Sequence, residues 1–110
     1  MPDELWRIVE PLIPPQQIRP QGGGTREVAA RAVFTAVVYV LTTGCAWRHL
    51  PSSFGVSRAT AHRRFTAWTK AGLWRRLHRA VLDELGAGGH VDWSRAIADA
   101  ATVRAKRGVS

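Results

Sequence analysis

A single cysteine, Cys45, is all the thiol chemistry this chain of 110 residues possesses. One thiol closes no internal disulfide and builds no metal site with spaced partners. Long apolar runs are missing too. The longest, AVFTAVVYVL from Ala32 to Leu41, falls far short of the roughly 20 residues that span a bilayer, so a buried helix is the better reading. The start, MPDELWRIVEP, has early acids and no apolar core segment, so it does not read as a secretory signal peptide, and with its lone thiol the chain is expected to be cytoplasmic. Lysine is scarce, with two Lys against fourteen Arg. A GC-rich genome inflates arginine and alanine alike, but arginine also suits phosphate and guanine-edge contacts through its planar fork. The deepest gap is acidic. Between Val28 and Leu82 there is no Asp or Glu, against nine Arg or Lys. Ordinary solvated faces mix signs, whereas a surface facing phosphates excludes carboxylates that would repel them.

The remaining composition is globular, with 45% apolar residues, a net charge of +8 and a length that fits one domain, or one domain with a tail. Such a charge favours a polyanion: nucleic acid first, an anionic membrane surface second. The spacing predicts a first helix from Pro2-Asp3, with Leu5, Ile8, Val9 and Leu12 on one face, stopped by Pro14-Pro15. QQIRPQGGG (Gln16 to Gly24) reads as a flexible linker; no Lys-Ser/Thr follows it, so it is no phosphate loop. Thr25 caps a second helix running to about Thr43, apolar nearly all round and therefore central, ended by Gly44. A short helical turn is expected from Trp47 to Phe54, interrupted or started by Pro51. Gly55 is the break, and Ser57 caps a helix to about Lys70. Leu73, Trp74, Leu77, Val81 and Leu85 mark a last amphipathic helix. GAGGH (Gly86 to His90) is a second hinge, and beyond it the sequence reads as a strand or the start of a hairpin, with no partner strand elsewhere in the chain. A lone strand cannot pair its backbone, so the tail is expected to be extended or disordered.

FGVSRATAHRRF fits the turn and second helix of a helix-turn-helix spanning about residues 47–70. On a helical wheel Ala61, Phe65 and Trp68 point inward. Ala59, His62, Arg63, Thr66 and Lys70 share the opposite face, with Arg58 and Arg64 at the borders. Arg58 and Arg63 are the expected base contacts, assisted by His62 and Thr66, with Ser57 as the cap and Ala59 small enough for close approach. Arg48, Lys70, Arg75, Arg76 and Arg79 are the expected phosphate contacts, which position without specifying. The tryptophans at 47, 68 and 74 fall on inward faces and read as core. His49, His78 and His90 lack metal-like spacing and read as structural or surface groups. The fold class on this reading is all-α: a small bundle over residues 1–85 containing the helix-turn-helix, then a hinge and tail over 86–110.

ELWRIVEPLIPP, YVLTTGCAWRHLP, FGVSRATAHRRFTAW, GLWRRLH and DWSRAIADAATVRAKRG, in this order, resemble the N-terminal part of bacterial insertion-sequence transposases of the IS-five type. The resemblance covers essentially the whole chain. It implies that the part up to about Gly86 is the DNA-binding region engaging terminal inverted repeats in double-stranded DNA. It also implies that the last segment begins an RNase H-like catalytic domain whose first triad Asp, on the first strand, is matched by Asp99. An intact family member uses two Asp and one Glu to hold two Mg2+ ions about 4 Å apart. No acid follows Asp99, so the chain alone is expected to be inactive and to hold no metal or other cofactor. Expected partners are DNA and either a downstream transposase polypeptide or another copy of the chain, with no membrane, no small-molecule ligand, and a nucleoid-associated location. A frameshift product and a remnant of a decayed element both fit, and a free-standing helix-turn-helix transcriptional regulator is the alternative.

Overall fold

The computed structural model describes residues 2–14, 29–86 and 89–107, and every described regular element is helical. Helix α1 (Asp3–Val9) starts where Pro2, in extended conformation, gives its carbonyl to the Trp6 N–H at 3.1 Å. Asp3 and Glu4 in its first turn and Arg7 in its last complement the helix dipole. A 3-10 turn over Glu10–Leu12 continues it. The linker at 16–24 and the Thr25 cap lie outside the described residues.

Helix α2 (Ala30–Thr43) buries Val33, Phe34, Ala36, Val37, Val40 and Leu41, a face wide enough to need neighbours on several sides. It is accordingly the central helix. Gly44 ends it with φ 73°, its N–H on the Val40 carbonyl at 2.9 Å. That left-handed backbone strains any side-chain-bearing residue. The short helical stretch that follows is two 3-10 turns, Trp47–His49 and Ser52–Phe54, with Pro51 opening the second. Helix α3 (Arg58–Lys70) and helix α4 (Leu73–Leu85) form a hairpin through Ala71 and the left-handed Gly72. Trp74 Nε1 donates to Thr69 Oγ1 at 3.0 Å, and that hydroxyl donates to the Phe65 carbonyl, which staples the corner.

Trp47, Trp68 and Trp74 are buried in the core as their spacing predicts. Phe34 of α2 sits with Trp6, Trp68 and Trp74 at ring separations of 6.1, 6.0 and 6.1 Å. Phe65 bridges this cluster to Trp47, 5.4 Å away. Phe34 and Trp74 are stacked and the other pairs are tilted, arrangements that at these distances add to the burial of large apolar surfaces.

The tail corrects the sequence reading. Residues expected to be extended or disordered form helix α5 (Gly89–Arg107). Val91, Ser94, Ile97 and Ala101 recur every three or four residues and are all buried, and Val91, Ile97 and Ala101 join the same core as the other helices. Five alanines (96, 98, 100, 101 and 105) favour helix over strand. The main apolar partner of α5 is α4, and α2 packs against it as well.

Candidate nucleic-acid interface

Helix α3 is anchored from inside and capped from outside. Ala61, Phe65 and Trp68 are buried. Ser57, extended at φ −71° and ψ 152°, accepts the Thr60 N–H on its Oγ at 3.1 Å. One of the orphan donors at the helix start is thereby satisfied. The outer face carries Arg58, Ala59, Arg63, Thr66 and Lys70, all exposed. The Thr66 hydroxyl donates to the His62 carbonyl at 3.0 Å, so only its lone pairs face outward.

Two side chains depart from the wheel. His62 is half-buried, its ring 5.3 Å from the Trp47 ring, so it backs the outer face rather than standing on it. Arg64 is buried, because it lies three residues after Ala61 and four before Trp68, in the inward stripe, and it is engaged within the fold.

Around α3, Arg48 is exposed on the first 3-10 turn, which packs against α3. Arg75, Arg76 and Arg79 are exposed on α4. Arg76 is already occupied: its guanidinium donates to the Ala71 carbonyl at the C-terminal end of α3. A cation there meets the negative end of the helix dipole. Arg31 is held by Asp3 in an ion pair of 2.6 Å at the far end of α2. The Asp3 carboxyl lies below its ordinary range, through that hydrogen bond first and the Arg31 charge second.

Asp99 is exposed on α5, on a helix rather than the strand that the resemblance implies. It faces a groove of about 440 Å³ between the end of α2 and α5, with Cys45, Val103 and Arg104 on its walls. No cluster of three or more His, Cys, Asp or Glu side chains able to share a metal ion occurs among the described residues. Among the described residues, the donor set for a pair of divalent ions is therefore not assembled around Asp99.

No motif announces the polar staple between α4 and α5. Ser94 is fully buried and donates its hydroxyl hydrogen to the Val91 carbonyl at 3.0 Å. Its oxygen lies 2.7 Å from His78 Nδ1. With the serine proton on the Val91 carbonyl, His78 Nδ1–H is the donor of this pair. The only foreshadowing is spacing: Ser94 falls in the same stripe as Val91 and Ile97.

No solved structure matches. A protein described as "Insertion element IS402 uncharacterized 16.2 kDa protein", from Burkholderia cepacia, is 43% identical over 105 residues, covering 94% of this chain and 71% of that protein. Residues 1–78 match the family described as "Putative transposase of IS4/5 family (DUF4096)". This likeness supports a role in transposition. On both matches, the chain belongs to the IS4/5 transposase family.

Proposed function

We propose that the chain is a sequence-specific binder of double-stranded DNA, acting at terminal inverted repeats as the N-terminal module of an insertion-sequence transposase. The observation that carries this reading is the outer face of α3: arginines, small residues and no acid, on a helix capped by Ser57 and pinned by buried Ala61, Phe65 and Trp68. Residues 47–70 serve as the helix-turn-helix unit, with α3 entering the major groove. Arg58 and Arg63 read base edges, Ala59 permits close approach, and Thr66 accepts a hydrogen bond. Arg48, Lys70, Arg75 and Arg79 hold phosphates. His62 supports this surface from behind, and Arg76 serves α3 as a cap. Strand cleavage and transfer belong to a complete carboxylate site supplied by further polypeptide.

The test is selection of bound duplexes from a random library, followed by titration of the selected duplex across salt concentration. A defined site matching inverted repeats around the gene, with affinity falling steeply in salt, supports the proposal. Enrichment of a site unrelated to any repeat favours the free-standing regulator instead. Absence of binding at low salt overturns the DNA reading.

A further inference from the structure

Arg104, on the last turns of α5, reaches 59 residues back along the chain to donate to the Cys45 carbonyl at 2.8 Å. Its guanidinium carbon lies 5.4 Å from the centre of the Trp47 ring. That tryptophan is 4% exposed, and its Nε1–H has no acceptor among the described residues. An unmade hydrogen bond in a buried site is unfavourable, so hydrogen bonding does not hold the indole in this place. What surrounds the ring is aromatic and cationic. Phe65 and His62 of α3 lie 5.4 and 5.3 Å away, and Arg104 lies over it. His62 follows Arg58 by one helical turn and immediately precedes Arg63.

We propose that Arg104 is a positioning residue for DNA reading: it clamps the Cys45–Trp47 segment, and Trp47 in turn fixes the His62 ring behind the Arg58–Arg63 surface. This inference rests on α3 being the reading helix. It assigns to α5, which lies wholly beyond the family match at residues 1–78, a part in site discrimination. The clamp is suited to that part because it joins two attachments of different kind. The hydrogen bond fixes the loop backbone just after the Gly44 helix end, and the cation over the ring fixes the indole plane. Neither attachment touches the outer face of α3; Trp47 carries the effect to His62 and so to the reading surface.

The experiment compares the full chain with Arg104→Ala, Arg104→Met and Arg104→Lys. Binding is measured to the selected duplex and to a scrambled duplex over a salt series, and the His62 ring protons are followed by NMR without DNA. The expected result is a fall of roughly fivefold or more in the ratio of selected to scrambled affinity for Arg104→Ala, with displaced His62 resonances and an unchanged salt slope. Partial recovery is expected in Arg104→Lys, which keeps a cation over the ring. Arg104→Met keeps the aliphatic stem and serves if the alanine variant unfolds. An equal loss on both duplexes with a shallower salt slope makes Arg104 a phosphate contact and overturns the proposal. Unaltered discrimination also overturns it. If the unmodified chain binds no duplex, the DNA reading fails; His62 resonances that still move then show the clamp without that use, and this inference falls with the reading.

Discussion

At the scale of single residues, two side chains make separable predictions. Ser57 gives its Oγ to the Thr60 N–H and sits at the start of the helix proposed to read DNA. Loss of an N-cap of this kind costs about 1 kcal/mol. Ser57→Ala is therefore expected to lower the denaturation midpoint by that equivalent, while Ser57→Asp, which keeps an acceptor, retains most of the stability. Equal losses in both would show that the cap is not what Ser57 contributes. Asp3 reports on pH. Its carboxyl is held below the ordinary range by Arg31, so on acidification the unfolded chain takes up this proton before the folded one does. The contribution of the pair is full above the unfolded value, near pH 4, and is lost as pH falls through the lower folded value. Both groups are substantially exposed, so salt screens the effect. Unfolding of the unmodified chain and Asp3→Asn from pH 7 to pH 2 tests this: their stabilities should converge at the acid end. A gap independent of pH would contradict it.

At the scale of elements, the five helices differ in how plainly they could be read. Helices α3 and α4 and the end of α2 follow from apolar spacing with punctuation at Gly44 and Ser57, while the Thr25 cap expected for α2 lies outside the described residues. Helix α5 has no such clarity. Alternate positions Val91, Trp93, Ile97 and Val103 fit a period of two loosely. The buried set Val91, Ser94, Ile97 and Ala101 fits a helical period but contains a serine and an alanine. Small residues satisfy both templates, and what decides between them is the apolar face of α4, which no local pattern in α5 contains. The same limit hid Ser94 and His78, whose pairing exists only once the two helices meet. A proline separates the two readings of this segment. Ala96 is exposed and interior to α5, so Ala96→Pro disturbs backbone rather than packing. It should cost about 3 kcal/mol and a measurable share of the helical circular dichroism. An extended tail would tolerate it with neither change.

At the scale of the whole molecule, the sequence already shows a chain that concentrates positive charge without acids over 28–82, but not how the fold spends it. Of the nine cations in that stretch, Arg31 is turned to Asp3, Arg64 is drawn into the protein, and Arg76 is bent onto the end of α3. Spacing alone ranks Arg75 and Arg76 as equals, because both fall on the exposed side of α4. The fold distinguishes them, and DNA binding provides the measurement. A cation on a phosphate releases a counterion, so its removal flattens the dependence of log affinity on log salt by about one unit. A cation on a helix end acts on stability, at about 0.3–1 kcal/mol. Arg75→Ala is therefore expected to flatten the salt dependence by about one unit with little change in the unfolding midpoint. Arg76→Ala is expected to lower the midpoint and leave the slope nearly intact. The two variants carry the same formal charge, so a bulk electrostatic attraction predicts identical slopes for them. Identical slopes would mean that the basic surface acts as a diffuse field, and that the division between Arg75 and Arg76 has no consequence for DNA.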